Sequence, residues 1–379
     1  MAPNRLQLLH DAGQSIWLDF IDRTILRNGD LQRRIDNDAL TGMTSNPTIF
    51  EKALAEGTAY DDQMRSATGS FTSMELFELI ETTDIRDACD LFAPVYEKTH
   101  GADGYVSIEV SPGSANDAAA TVSEAQRLWA TVDRRNVMVK IPGTPEGANA
   151  IRQTIAAGIN VNITLLFAID AYKTVIDAYM SGLEDRLAAG KKIDSIHSVA
   201  SFFVSRVDTE VDKRLDAAIK AGGDQKSLDA LRGKAAVANA KLAYKLYLAE
   251  TSSPRWKALA AQGANVQRPL WASTSAKNPA YRDVIYVEEL IGPDTVNTMP
   301  PGTIDAFRDH GEVRRTVDAG FDQAQADLDA LEKADVPIKS VTDKLLADGV
   351  ASFQKSFDTL LSGLRTKTKA LGKDLVETR

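Results

Sequence analysis

"NVMVKIPGTPEGANAIRQTIAAGINVNITL", residues 136–165, holds two short apolar runs separated by a segment of helical period. The runs "VMVKIP" (137–142) and "INVNITL" (159–165) have strand length and are rich in β-branched residues. Between them, "PEGANAIRQTIAAG" follows Thr144, a good cap, opens on Pro145 and stops on Gly158. A strand, a helix and another strand in that order read as one repeat of an alternating α/β fold. One residue does not suit a core strand: Lys140, in the middle of the first run. A buried ammonium without a partner is costly, and the usual relief is a lowered pKa, which makes the amine a nucleophile at neutral pH. Taken alone, Lys140 reads equally as a side chain that snorkels to solvent or pairs with a carboxylate.

The alternation continues along the chain. Strands are expected at "SIWLDF" (15–20), "TGMTSN" (41–46), "YVSIEV" (105–110), 137–142, 159–165, "SIHSVASFF" (195–203), "RPLWAST" (268–274) and "DTVNTMP" (294–300). Segments of helical period lie between them, such as "MELFELIETTDIRDACDLFAPVYEKTH" and "RVDTEVDKRLDAAIKAG". Eight strands alternating with helices predict an α/β (β/α)8 TIM barrel, with an open doubly wound sheet as the alternative. The barrel is favoured because no strand is followed by a Gly-x-Gly-x-x-Gly or Walker turn, and because polar residues gather at strand ends. The connections after the second and sixth strands are long and helical in pattern, so they read as extra helices. No linker divides the chain, so residues 1–379 are expected to form a single domain. Residues 304–379 are then a helical C-terminal extension lying outside the barrel or partly over its mouth.

The 379 residues are 44% hydrophobic and 26% charged, values of a globular protein. A formal net charge of -9 argues against a nucleic-acid surface, though not against a small basic pocket for phosphate. The one cysteine, Cys89, sits at an apolar position of a helical pattern and reads as a buried core thiol. His10, His100, His197 and His310 are scattered, so no histidine-based metal site is expected. No apolar stretch is long enough to span a membrane and the N-terminus lacks a signal-like segment, which points to the cytoplasm.

The polar residues near the strand ends are Asp19, Asn46, Glu109, Lys140, Asn162, Thr164, Ser201 and Ser275. Each has a structural reading of its own: Asp19 as a cap, Asn46 before Pro47 as a turn former, the serines as small packing residues. Together they would surround Lys140 at one barrel mouth. Asn162 and Thr164 are two apart and share a face if they lie in a strand. One lysine among two carboxylates, amides and hydroxyls is poor in ligands for a divalent metal but suits imine chemistry. A neutral lysine adds to a ketone, water is lost, and the protonated Schiff base draws electrons from the adjacent C–C bond. The proton transfers need a carboxylate of raised pKa, for which Glu109 and Asp19 are available. Thr164 could hold a water between Glu109 and Lys140.

"LTGMTSNPTIF", "VMVKIPGTPEG", "INVNITLLFA" and "SVASFFVSRVD" resemble the signature segments of the transaldolase family, in particular its longer bacterial form. The resemblance runs from about residue 15 to 310, in order and spacing. It implies a (β/α)8 barrel that transfers a dihydroxyacetone unit in the non-oxidative pentose phosphate pathway. Sedoheptulose 7-phosphate and glyceraldehyde 3-phosphate would give erythrose 4-phosphate and fructose 6-phosphate. It implies no cofactor and no metal, sugar phosphates as partners, no nucleic acid or membrane, and a monomer or homodimer. The family's Schiff-base lysine falls on Lys140, its acid/base glutamate on Glu109, its water-sharing threonine on Thr164 and its aspartate on Asp19. Substrate contacts fall on Asn46, Asn162 and Ser201, and the aromatic that favours transfer over plain aldol cleavage falls on Phe203. The phosphate grip falls on Arg206, Ser275 and Lys277, with Ser273 as a competing serine. Here the chain departs from the pattern, because Lys277 stands where arginine is common and offers a point charge rather than a bidentate fork. Two other readings stay open at this stage: an aldolase that releases free dihydroxyacetone, and a barrel that binds sugar phosphate without turnover.

Overall fold

A computed structural model describes residues 4–67, 71–372 and 374–376. Its eight strands are β1 Gln14–Asp19, β2 Leu40–Thr44, β3 Tyr105–Glu109, β4 Val137–Pro142, β5 Val161–Leu166, β6 Ser198–Phe203, β7 Gln267–Ala272 and β8 Thr295–Met299. They pair in chain order and close into a barrel. β8 returns to β1 in parallel, with Gln14 opposite Thr295 and Leu18 opposite Met299, which rules out the open sheet. All eight expected strands are present, displaced by a few residues at their ends. β2 stops at Thr44 because Asn46 turns out to cap the next helix. β7 stops at Ala272 because Ser273 takes a left-handed φ of 56°, a conformation that leaves the sheet.

The opening repeat forms as its residues dictate. Thr144 Oγ1 accepts from Gly147 N–H at 3.0 Å, and Pro145 begins the helix Pro145–Ala157, where its missing N–H costs nothing. Gly158 closes that helix at φ 98°, a left-handed cap that costs glycine little. The strands are buried along their whole length apart from a few end residues, as expected of a sheet filled on one side and covered by helices on the other. Val139 and Ile141 flank Lys140 and point to the opposite face by strand alternation. Both are fully buried, each stabilising by about 1.5–3 kcal/mol. Cys89 is likewise fully buried.

The long connections are helical: Pro47–Ala55, Asp61–Ser66 and Ser73–Lys98 after β2, and four helices beginning with Ser205–Lys220 after β6. After β8 come Pro301–His310, Phe321–Lys333 and the 33-residue helix Ile338–Ala370. This last helix crosses the C-terminal end of the barrel. Thr48 Oγ1 donates to Ser356 Oγ at 2.9 Å, and Lys367 Nζ donates to the carbonyls of Leu54 (3.0 Å) and Gly57 (2.9 Å). Its Gly349 lies so close to β5 that a Cβ there would come within 3.0 Å of Leu165 Cδ2. Among the described residues, no helix is long and apolar enough to cross a membrane.

Candidate active site

β3, β4 and β5 bring the central groups together by register. Glu109 pairs with Lys140, and Lys140 with Asn162, so three polar side chains stand side by side near the top of the barrel. Lys140 Nζ donates to Glu109 Oε2 at 3.1 Å and to the Ser45 carbonyl at 2.9 Å. Both side chains are nearly enclosed, with exposures of 6% and 5%. Burial raises the Glu109 carboxyl above its ordinary 4.5, and the nearby Lys140 opposes this. The two groups touch directly, a closer approach than a water held between them.

Across the mouth, Asp19 ends β1 and its Oδ1 accepts from Thr44 Oγ1 at 2.9 Å. Thr44 in turn shares a 2.7 Å hydrogen bond with Thr298 at the end of β8. Burial raises the Asp19 carboxyl above 3.8, with Lys140, the Thr44 bond, Arg206 and Lys277 opposing. Two carboxyls that burial raises above their ordinary pKa therefore face one amine, an arrangement suited to proton transfer.

A cavity of about 340 Å³ opens above these groups. It is lined by Asp19, Asn46, Lys140, Thr164, Ser201, Phe203, Arg206, Ser275 and Lys277, all of them named from the sequence, and by Ser273. Thr164 Oγ1 is buried there with no hydrogen-bond partner among the described residues, so a hydroxyl is left for a water or substrate atom. Asn46 is both a wall of the cavity and a helix cap, its Oδ1 accepting from Ile49 N–H at 3.0 Å.

Two of the named residues lie elsewhere. Asn162 is fully buried and is not part of the cavity wall, donating to Ser107 Oγ at 2.9 Å and accepting from Ser201 Oγ at 2.7 Å. Its amide thus bonds protein groups at both ends and ties β3, β5 and β6 together beside Lys140. Glu109 borders a small adjoining space with Pro142, Leu165, Val350 and Phe353, and meets the main cavity through Lys140.

The outer rim is cationic. Arg206 sits in the first turn of Ser205–Lys220, with its guanidinium 4.8 Å from the centroid of the Phe203 ring. Phe203 is itself held by Phe167, centroid to centroid 5.2 Å. Lys277 Nζ donates to Ser275 Oγ at 2.6 Å. Among the described residues, neither Arg206 nor Lys277 makes an ion pair, so both charges remain available to an anion.

The sequence reading missed several residues of the site: the lining residues Thr44 (the partner of Asp19), Lys52, Thr298, and Ser352 and Phe353 of the last helix, and the Ser45 carbonyl that accepts from Lys140. Inward threonines at the ends of "TGMT" and "TVNTM" were a usable signal for two of them. A backbone carbonyl and a helix distant in sequence leave no such mark.

A closed parallel barrel whose mouth holds one enclosed amine against a carboxylate has the build of a lysine-dependent barrel enzyme. Comparison with known proteins makes this specific: residues 16–364 match the family model described as Transaldolase/Fructose-6-phosphate aldolase. A protein of Nostoc sp. named Transaldolase 2 is 48% identical over 378 residues, covering 98% of this chain and 99% of its own. A transaldolase of Thermobifida fusca is 51% identical over 358 residues, 94% and 96% of the two chains, and one of Trichodesmium erythraeum is 47% identical over 377 residues, 98% and 99%. The chain belongs to the transaldolase/fructose-6-phosphate aldolase family.

Proposed function

We propose that the chain is a transaldolase in which Lys140 carries a dihydroxyacetone unit as a Schiff base. The amine adds to the C2 ketone of a ketose phosphate, water leaves, and the protonated imine accepts the electron pair of the C3–C4 bond as it breaks. Asp19 takes the proton of the C4 hydroxyl and an aldose phosphate departs. The enamine left on Lys140 then attacks an acceptor aldehyde, and hydration of the new imine returns the amine. Glu109 moves the protons of carbinolamine formation and loss, acting on Lys140 or through a water on Thr164. Asn46 and Ser201 receive the dihydroxyacetone hydroxyls, Asn162 holds Ser201, and Phe203 limits water at the enamine. Arg206, Ser275 and Lys277 receive the phosphate.

The observation that carries this reading is Lys140 Nζ, enclosed at the mouth and 3.1 Å from the Glu109 carboxylate. The names of the full-length relatives, each a transaldolase, support transfer over release; the donor and acceptor in this reading are sedoheptulose 7-phosphate and glyceraldehyde 3-phosphate. No cofactor enters these steps. A cytoplasmic monomer or homodimer is the working form in this reading, with barrel and C-terminal helices acting as one domain. Fructose 6-phosphate and borohydride should leave a reduced dihydroxyacetone adduct on Lys140, read by mass spectrometry. An adduct on another lysine, or none, sinks the mechanism.

The second reading is an aldolase that frees dihydroxyacetone, which the family description also spans. It predicts dihydroxyacetone accumulating from fructose 6-phosphate with no acceptor present, whereas a transaldolase stalls after one equivalent.

A further inference from the structure

The two rim cations come from different elements. Arg206 belongs to the helix Ser205–Lys220, while Ser275 and Lys277 belong to the loop after β7. Close to the barrel the two are stapled together. Val204 N–H donates to the Ala272 carbonyl and Ser205 N–H to the Ser273 carbonyl, both at 3.0 Å, and the Ser205 and Ser273 hydroxyls lie 3.0 Å apart. Beyond that staple the loop leaves the barrel, and Lys277 follows on an exposed turn.

Asp212, further along the same helix as Arg206, reaches across to this turn. Its Oδ2 accepts from Tyr281 O–H at 2.6 Å and from Asn278 Nδ2 at 3.3 Å. Asn278 is the residue next to Lys277, and its own Oδ1 and carbonyl accept from Ala280 N–H and Tyr281 N–H, both at 3.0 Å. Residues 278–281 thus form a small knot gathered on one carboxylate. Asp212 is buried, and its Oδ1 has no hydrogen bond among the described residues and lies 3.9 Å from Arg232 Nη1. A buried carboxylate is costly unless donors answer it, and at this junction two of them, Asn278 and Tyr281, come from the segment that follows Lys277.

We propose that Asp212 is a positioning residue for phosphate recognition: by holding Asn278 and Tyr281 against the helix of Arg206, it sets the separation of Arg206 and Lys277. Asp212 touches no reacting atom. It acts on the phosphate end of the substrate and leaves the C–C chemistry at Lys140 alone. The inference rests on the reading of Arg206, Ser275 and Lys277 as the phosphate grip.

The test measures fructose 6-phosphate kinetics with erythrose 4-phosphate as acceptor, competitive inhibition by inorganic phosphate, and borohydride trapping of unphosphorylated dihydroxyacetone on Lys140. Asp212→Ala should raise KM and the phosphate inhibition constant about tenfold, the weakening of one charge-assisted hydrogen bond. Its kcat and its dihydroxyacetone trapping should stay at the wild-type level. Tyr281→Phe should move the same two constants in the same direction by less, and decides the matter if Asp212→Ala does not fold. Asp212→Asn keeps an acceptor oxygen and should restore KM most of the way. Unchanged KM and phosphate inhibition in both Asp212→Ala and Tyr281→Phe overturn the proposal, as does a parallel fall in kcat and trapping. A wild-type protein that traps dihydroxyacetone but is indifferent to phosphate overturns the phosphate grip itself, and one that traps nothing overturns the Schiff-base reading.

Discussion

At the N-terminal end of the barrel, Arg268 and Asp103 have side-chain exposures of 16% and 6%, against 6% and 5% for Lys140 and Glu109 at the other end. Burial therefore does not distinguish the two pairs, but their surroundings do. Asp103 accepts from Trp17 Nε1 (2.8 Å), from Gly104 N–H (3.0 Å) and from Ser15 Oγ. Arg268 donates to Ser15 Oγ (2.6 Å) and to the Thr295 carbonyl (2.8 Å) as well as facing Asp103. Each charge at this end is answered by protein groups. At the mouth, Thr164 Oγ1 has no hydrogen-bond partner and Arg206 and Lys277 make no ion pair among the described residues, all facing one cavity. Burial of charge is common to structure and function, and unanswered polarity around a space is the mark of the second.

The comparison breaks most directly at Lys140. Lys140→Ala should show no detectable transfer and no borohydride adduct, with a circular dichroism spectrum like that of the wild type; a surviving adduct would mean the amine lies elsewhere. Next, Glu109→Gln should slow turnover by about 10²–10⁴-fold, the usual worth of a positioned acid/base. Steady-state rates measure it, and a loss below tenfold removes Glu109 from the proton path. The opposite end should answer in the other currency. Asp103→Ala leaves Arg268 without its partner and should lower unfolding free energy in urea by about 3–5 kcal/mol, with kcat per folded molecule unchanged. A fall in kcat there would erase the distinction between the ends.

The smallest effect is a pH dependence. Burial raises Asp208 from 3.8 to about 6, while hydrogen bonds from Ala236 N–H and Tyr286 O–H partly oppose it. A carboxyl with a raised folded value favours the folded state most below its unfolded pKa, and that advantage is lost as pH rises through the folded one. The interval from 3.8 to about 6 corresponds to about 3 kcal/mol. Asp208→Asn should therefore gain stability relative to wild type between pH 4 and pH 7, seen as a melting-temperature difference that moves in its favour. A difference independent of pH removes Asp208 as the source.

The strands were legible because β-branched runs bounded by Gly, Pro and Asn leave few other local choices, and Lys140 was legible because it violates such a run. The facing of Glu109 and Lys140 followed from adjacency of strands in a closed barrel. What could not be read depends on the path of the chain in space. Asn162 has the same side chain whether it meets substrate or Ser107 and Ser201, and its neighbours come from strands that its own segment does not encode. Ser352 and Phe353 lie in an amphipathic helix whose pattern shows one buried face without saying what it covers.

That last helix has a consequence for the order in which the protein becomes itself. Translation delivers every strand, and with them Asp19, Glu109, Lys140 and Thr164, before it delivers Phe353, which borders both the Lys140 cavity and the space beside Glu109. The cavity is finished only when the helix Ile338–Ala370 docks on Pro47–Ala55 and on Leu165. The residues of the wall that this helix supplies are thus the last of the site to be synthesised.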